Sequence, residues 1–403
     1  MKKILSLLLL CSVFVSLSAC NMGRIEDETE ESSSQDTGEE NMFDKTMKER
    51  DYAMNFLRTE GMIKMNGRTG KDGDGIICDN ALAGFEMNVR FDGELKLTAT
   101  ATAPLDADSL YLEREPKERT EKEKEEKPAN AYFTVYVDGV RSETRFCFPE
   151  GETVTLTIAE SDGTKTHHIR VVKQTEPQFA LATLESISFT GYIDEKPTNK
   201  RLLIEVIGDS ITTGYGNIWK TGDGAAEQAL YQDATQAYPF LVAETLNADV
   251  SLVGCSGVGA VRGWRTFPMT TFYGARSYYR DMNTSKSGGR RPDLIIISLG
   301  TNDKYAPAEN GGAVSDAEFK AGILSFIDEV RAGNEGIPVV LIYGQMTSRL
   351  NEVMPSIVAA TDGVYAYKLS AAQGGGAGHP SAEQQFDASI ELLQKMKQDD
   401  IIP

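Results

Sequence analysis

The second half of the chain takes its fold from one segment, Ile204-Glu-Val-Ile-Gly-Asp-Ser-Ile-Thr-Thr-Gly-Tyr-Gly216. A short run of mostly β-branched residues leads here directly into a glycine-flanked turn that holds a single serine, Ser210. Near-continuous apolar strands of this kind are typical of a parallel sheet covered on both faces. Since functional residues in such sheets lie at the carboxyl ends of the strands, Ser210 is a candidate nucleophile.

Strands and helices alternate from about residue 201 onward. The sequence predicts strands at 203–207, 250–253, 294–299, 339–343 and 364–367, and helices at 315–332 and 381–398. Ser315 and Glu318 predict a capping box at the start of the first of these helices, and Gly333 predicts its end. The pattern indicates an α/β domain with a doubly wound parallel sheet over residues 200–403.

The preceding region, residues 49–185, is predicted to form β structure. Apolar and polar residues alternate at 85–91, 132–137, 153–158 and 168–172. Asp-Gly pairs at 92–93, 138–139 and 162–163 predict turns between strands. Short strands at this spacing predict a sandwich of jelly-roll type. Asp72-Gly-Asp-Gly75 also predicts a turn, because Ile76 occupies the third ligand position of a calcium loop.

Residues 1–19 have the pattern of a lipoprotein signal peptide. Lys2 and Lys3 precede an apolar run, and the ending Leu17-Ser-Ala-Cys20 resembles a bacterial lipobox in which Cys20 carries lipid. The alternative is an ordinary signal peptide with an incidental cysteine. The acidic residues 20–48 predict a flexible tether. We therefore expect a lipid-anchored protein of the bacterial cell envelope, facing the periplasm or the cell surface, with the lipid as its only membrane contact.

Charge and cysteine content narrow the possible partners. With 41 Lys and Arg against 60 Asp and Glu, the formal net charge is −19, which argues against nucleic acid as a partner. Cys78 and Cys147 lie in the same half and either pair or stay reduced. Cys255 is predicted to be a buried structural thiol.

Four candidate groups follow four strands of the predicted sheet. Ser210, Gly257 and Asn302 come after the first three strands, and His379 follows the last. Because these strand ends share one edge, the groups should meet there. His379 is the one imidazole available to take the proton of Ser210. The backbone N–H groups of Ser210 and Gly257 and the Asn302 amide can stabilise the oxyanion formed when serine attacks an ester.

Four sequence blocks contain these groups: Gly208-Asp-Ser-Ile-Thr212, Ser256-Gly257, Gly300-Thr-Asn-Asp303 and His379-Pro-Ser381. They resemble the four blocks of the SGNH (GDSL-type) hydrolases, whose sheet is flavodoxin-like. The β region followed by residues 201–217 is further similar to carbohydrate esterase family 2, which joins a jelly roll to an SGNH domain and deacetylates plant polysaccharides. The resemblance implies Ser210 as nucleophile, His379 as general base, and Ser210, Gly257 and Asn302 as the oxyanion hole. Most SGNH enzymes carry an aspartate three residues before the histidine, where this chain has Gly376.

The missing aspartate implies a Ser/His dyad of the kind some family 2 enzymes use, with a backbone carbonyl holding the imidazole. Asp303 can be proposed as a substitute carboxylate, although a structural role fits it better. Trp264 and Trp219 follow the first two blocks and either stack on a sugar ring or simply pack. No metal cluster or phosphate-binding loop is evident, so we expect no cofactor and no metal.

The expected function is removal of acetyl groups from hemicellulose, such as xylan or mannan, or from its oligosaccharides. The substrate partner would then be an acetylated polysaccharide or oligosaccharide. Two alternatives stay open from the sequence. One is an SGNH esterase acting on peptidoglycan acetate or lipid esters, and the other is a non-catalytic carbohydrate-binding surface lipoprotein.

Overall fold

The computed structural model describes residues 44–402, except residues 105, 107, 109–110, 112–117, 226–227 and 276–288. The predicted signal segment, Cys20 and most of the predicted tether lie outside the described residues. Within the described part of the chain, no helix is both long enough and apolar enough to cross a membrane.

The N-terminal region is β structure, as predicted, and its paired strands are antiparallel. Its strands are β1 (Lys48–Ala53), β2 (Lys64–Asn66), β3 (Gly70–Asp72), β4 (Gly75–Ile77), β5 (Gly84–Thr102), β6 (Ala131–Val137), β7 (Val140–Arg141), β8 (Phe146–Phe148), β9 (Thr153–Lys173) and β10 (Leu181–Ile193). The main path runs β3-β4-β10-β5-β9-β6-β7. Short helices occupy Met54–Thr59 and Glu121–Glu126. The sheet continues to Ile193, beyond the predicted boundary at residue 185.

Two of the predicted turns are wrong. Asp92-Gly93 lies inside β5 and Asp162-Gly163 inside β9, with Asp92 opposite Asp162 in the ladder. The register shifts just before Asp92, and both glycines have positive φ, so these pairs form a bulge that bends two long strands together. Asp138-Gly139 does form the predicted hairpin turn between β6 and β7.

The C-terminal region contains the predicted parallel sheet. Its strands are β11 (Leu202–Gly208), β12 (Ala248–Gly254), β13 (Leu294–Ser298), β14 (Val339–Tyr343) and β15 (Val364–Lys368). Their order is β12-β11-β13-β14-β15, with every pair parallel. The helices are Ser210–Thr213, Tyr238–Thr245, Thr270–Tyr273, Thr301–Lys304, Asp316–Arg331, Met354–Val358 and Ala382–Gln398. This flavodoxin-like order places the topological switch point between β11 and β13, where ligands bind in such sheets.

The predicted capping box at Ser315 is only half formed. Ser315 Oγ accepts the Glu318 backbone N–H at 3.3 Å. The Glu318 carboxylate instead accepts two bonds from Arg262, at 2.6 and 2.9 Å. A guanidinium offers two parallel donors, and it therefore outcompetes the single backbone N–H of Ser315.

The two sheet regions pack into one unit. Ala81, Leu82 and Val172 of the β region belong to the same buried cluster as Val206 of β11. Arg68 also pairs with Glu205 at 2.7 Å, and both side chains are fully buried. Removing one partner of such a pair leaves a buried charge uncompensated, so this contact fixes the β region on the parallel sheet.

The described cysteines form no disulfide. The sequence allowed Cys78 and Cys147 either to form a disulfide or to stay reduced, and in the structure they are not joined. Cys255 is fully buried, as predicted.

Candidate active site

Ser210 lies at the turn between β11 and the helix Ser210–Thr213. Asp209 caps this helix, because its Oδ1 accepts the Ile211 N–H at 3.0 Å. Gly208 ends the strand, where a Cβ would lie 2.0 Å from Thr212 Oγ1, so only glycine fits. The turn buries most of Ser210 and turns its hydroxyl toward the carboxyl edge of the sheet.

His379 faces Ser210 across this edge. Its Nε2 lies 2.7 Å from Ser210 Oγ, and its Nδ1 lies 3.2 Å from the carbonyl oxygen of Gly376. Because a carbonyl only accepts, Nδ1 carries the proton and Nε2 is free to accept the Ser210 O–H. Burial lowers the pKa of His379, although the Gly376 carbonyl opposes that shift. The imidazole is therefore a neutral base at neutral pH.

The loop before His379 is held by backbone bonds. Gly376 N–H donates to Gly216 O at 2.9 Å, and Gly375 N–H donates to His379 O at 2.7 Å. Ala377 has a φ of +50°, a strained value for a residue with a side chain. The loop thus places a fixed carbonyl, at Gly376, where an orienting aspartate is usual.

Asp303 makes contacts remote from the imidazole. Its carboxylate accepts the backbone N–H groups of Ala260 at 2.9 Å and Val261 at 2.7 Å. The imidazole instead contacts the ring of Tyr215, with centroids 4.7 Å apart. Asp303 therefore shapes the loop after β12 and does not orient His379.

The candidate oxyanion donors differ in whether they already have a hydrogen-bond acceptor. Ser210 is the first residue of its helix, where a backbone N–H has no intrahelical acceptor. Within the described residues, no acceptor takes the Gly257 N–H, and Gly257 has a φ of +85° that suits glycine. The amide nitrogen of Asn302 is already bonded, to Asp209 Oδ2 at 3.1 Å and to Val258 O at 3.0 Å.

Asp209 is a buried acid beside the nucleophile. Burial raises its pKa to about 7. The Val258 carbonyl only accepts, so it fixes which way the Asn302 amide points and places Nδ2 beside Asp209 Oδ2 as well. An oxyanion would thus share an Asn302 proton with Asp209 or Val258.

Ser210 and His379 line a cavity of about 720 Å³, together with Gly257, Asn302 and Trp264. Trp264 is 61% exposed, as expected of a side chain at a rim. Trp219 is not among the lining residues, and its Nε1 donates to Gly224 O at 2.9 Å. The structure thus brings Trp264 to the site but not Trp219.

Several residues at this cavity were not predicted from the sequence. Tyr215 stands within the serine segment and was available as an aromatic next to the nucleophile. Gln178 lines the cavity and Phe179 stacks on Tyr215 at 5.5 Å, yet both come from the loop between β9 and β10. Their sequence separation from Ser210 leaves no local signal. Among the described residues, no group of three His, Cys, Asp or Glu side chains could hold a metal ion.

Residues 206–388 match the GDSL-like Lipase/Acylhydrolase family. The match contains Ser210, Gly257, Asn302 and His379. This part of the chain is a GDSL-type hydrolase domain.

Curated relatives of this chain include carbohydrate-active enzymes. This chain is 27% identical over 215 residues to an acetylxylan esterase / glucomannan deacetylase of Cellvibrio japonicus, covering 49% of this chain and 58% of that protein. A cellulase/esterase, CelE, of Acetivibrio thermocellus is 27% identical over 165 residues, or 38% of this chain and 19% of that protein. The chain spans about half or less of the length of these relatives.

Solved structures extend the similarity beyond the hydrolase domain. A family two carbohydrate esterase from Cellvibrio japonicus superposes with a TM-score of 0.70 at 18% identity, covering 87% of this chain and 97% of that one. An acetyl xylan esterase, Est2A, from Butyrivibrio proteoclasticus gives 0.69 at 18% identity, with 88% and 98% covered. The antiparallel region followed by a hydrolase domain is thus a fold shared with these proteins.

Proposed function

We propose that this protein is a carbohydrate O-acetyl esterase acting on hemicellulose, such as xylan or mannan, or on its oligosaccharides. The observation that carries the proposal is the 2.7 Å contact between His379 Nε2 and Ser210 Oγ beside the cavity. At about 720 Å³, the cavity is larger than an acetyl group requires and lies in the range of small-molecule sites. The names of the relatives support acetylated polysaccharide as the substrate class.

The proposed reaction passes through a covalent acetyl-serine. Ser210 Oγ attacks the ester carbonyl while His379 Nε2 takes the hydroxyl proton. The tetrahedral intermediate collapses, and the sugar oxygen leaves with the proton that His379 held. Water, deprotonated by the same nitrogen, then attacks the acetyl-serine; the ester bond to Ser210 Oγ breaks, His379 returns the proton to that oxygen, and acetate is released.

The dyad relies on dipoles at both ends of this proton path. The Gly376 carbonyl steadies the protonated imidazole through Nδ1, with less stabilisation than a carboxylate would give. The N–H groups of Ser210 and Gly257 are assigned to the oxyanion, and Asn302 adds a shared proton. Removing one such donor commonly lowers kcat by a factor of about 10²–10³, so most of the rate enhancement is expected to come from the oxyanion donors.

Trp264 is the proposed sugar contact. Its exposure leaves a ring face open to the cavity mouth, and a sugar's C–H bonds pack well on an aromatic face. Trp219 is the weaker proposal, since its indole N–H is tied to Gly224.

The test is acetate release from a panel of acetylated xylan, glucomannan, peptidoglycan and lipid esters. We expect release from the hemicelluloses and a loss of several powers of ten in Ser210→Ala. Ser251→Ala is the matched control, because Ser251 is also buried and its hydroxyl has no partner within the described residues. Release only from peptidoglycan or lipid would favour the other acyl substrates, and no turnover on any ester would favour a binding protein.

We further propose that Cys20 carries lipid and that residues 20–48 tether the enzyme to a bacterial envelope membrane. Leu17-Ser-Ala-Cys20 supports this assignment. Expressed in a bacterium, the wild-type protein should fractionate with membranes, and Cys20→Ala should release it or block its processing. Membrane association that persists in this variant contradicts the anchor.

We also assign the antiparallel region to the jelly-roll class. Each pair of neighbouring strands described in this region is antiparallel, which supports the assignment. An experimental structure in which these strands form a single flat sheet would contradict it.

A further inference from the structure

Glu176 brings a buried carboxylate from the β region to the edge of the active site. It lies in the loop 174–180, between β9 and β10, and is completely buried. Its Oε2 accepts the Ser256 backbone N–H at 2.7 Å, and its Oε1 accepts the Ser256 hydroxyl at 2.5 Å. Ser256 immediately precedes Gly257, whose N–H is a proposed oxyanion donor.

The loop that carries Glu176 is itself fixed. Buried Lys173 donates from Nζ to the carbonyls of Asp79, Thr175 and Ala180, at 2.9, 2.6 and 2.8 Å. Gln232 holds both ends of the glutamate: its Oε1 accepts the Glu176 N–H at 2.7 Å, and its Nε2 donates to Glu176 Oε1 at 3.3 Å. The carboxylate therefore presents acceptors in a set position to Ser256.

Fixing this segment matters because Gly257 has no side chain to anchor it. A glycine at positive φ has more conformational freedom than any other residue. Oxyanion donors work only if they are aimed before charge develops, within about 0.5 Å of the productive position. On the N-terminal side of Gly257, Glu176 binds the backbone N–H of Ser256. On its C-terminal side, the Arg265 N–H donates to Gly257 O at 3.1 Å.

We propose that Glu176 is a positioning residue that holds Ser256 and thereby aims the Gly257 N–H at the oxyanion of ester hydrolysis. The inference rests on the proposed esterase function. It makes the active site composite, since the β region supplies a group the hydrolase domain lacks.

Three variants of the full chain test this role. Glu176→Ala removes both bonds to Ser256 and should lower kcat on 4-nitrophenyl acetate by about 10², with KM little changed, because the lost interaction acts in the transition state. Glu176→Gln keeps an acceptor for the Ser256 N–H but sets its amide nitrogen against Gln232 Nε2, so kcat should fall about tenfold. Thr175→Val is the control, from the same buried loop, with a hydroxyl that has no partner within the described residues.

Labelling of Ser210 by a fluorophosphonate gives a second readout, because its phosphoryl oxygen occupies the place of the oxyanion. Labelling should slow in both Glu176 variants and stay unchanged in Thr175→Val, with thermal melts confirming that each is folded. If Glu176→Ala does not fold, Glu176→Gln decides.

Wild-type-like kcat and labelling in folded Glu176 variants would overturn the proposal, as would an equal loss in Thr175→Val. Absence of wild-type turnover contradicts the esterase function instead, and the labelling rates then decide the role of Glu176.

Discussion

Gly216→Ala should damage catalysis although Gly216 is not among the residues that line the cavity. Gly216 has a φ of +62°, and its carbonyl accepts the Gly376 N–H at 2.9 Å. A Cβ at this position would lie 3.0 Å from Gly376 Cα and 3.1 Å from Gly376 O. That oxygen is the one that accepts the Nδ1 proton of His379.

The size of the effect follows from these distances. A Cβ needs about 3.4 Å to a neighbouring carbon, so Gly376 must give way by roughly 0.4 Å. The Nδ1–Gly376 O distance of 3.2 Å is already at the long end for a hydrogen bond, and a further 0.4 Å breaks it. If the ring follows the carbonyl instead, its Nε2 leaves Ser210 Oγ by a similar amount. Since about 1 Å of misplacement costs about 10² in rate, we expect kcat to fall roughly tenfold.

The assay is steady-state hydrolysis of 4-nitrophenyl acetate, with KM expected to stay near wild type. Left-handed backbone costs an alanine about 1–2 kcal/mol by itself, so the melting temperature should also fall. Gly222→Ala separates strain from displacement, because Gly222 has a φ of +101° but no atom within 4 Å of a Cβ. A kcat for Gly216→Ala above about half of wild type, or equal losses in both variants, refutes the reasoning.

Three further predictions concern titratable groups. His379→Ala should be about as damaging as Ser210→Ala, and single substitutions of each Asp and Glu in residues 201–403 should all cost less; a folded carboxylate variant as inactive as His379→Ala would reveal a triad. Because burial lowers the pKa of His379, the acidic limb of the kcat/KM profile should have its midpoint below 6.5, and a midpoint above that value contradicts the assignment. Burial raises the folded-state pKa of Asp209 from 3.8 to about 7, so its protonation stabilises the fold fully below about pH 4, and this stability is lost as pH rises to 7. Asp209→Asn should therefore show a smaller fall in melting temperature from pH 5 to pH 8 than the wild type. An equal fall in the two proteins would contradict this prediction.

The parallel sheet was predictable because its signals are local. Each strand is a short, nearly continuous run of apolar residues, and β14 begins and ends at the predicted residues. The bend of β5 and β9 was not predictable in the same way. Asp-Gly is a turn signal within four residues, whereas pairing Asp92 with Asp162 depends on two long strands meeting over their whole length.

The same distinction applies to the site. Ser210 and His379 were found because each follows a strand of one sheet, and strand ends converge by geometry. Gln178 and Glu176 were not found, because their place at the site depends on how the β region docks. No periodicity in either region encodes that docking.

Three buried acids around the site share one kind of contact. Asp209 accepts the Ile211 N–H, Glu176 the Ser256 N–H, and Asp303 the N–H groups of Ala260 and Val261. Each carboxylate thus holds the loop at a strand end, and His379 takes its bond from the Gly376 carbonyl instead. Burial raises the pKa of all three acids, so each carries an electrostatic cost in its ionised form. Because these acids bind loops on the oxyanion side, replacing them should lower kcat by displacing donors, without changing the proton affinity of the histidine that the dyad uses as its base.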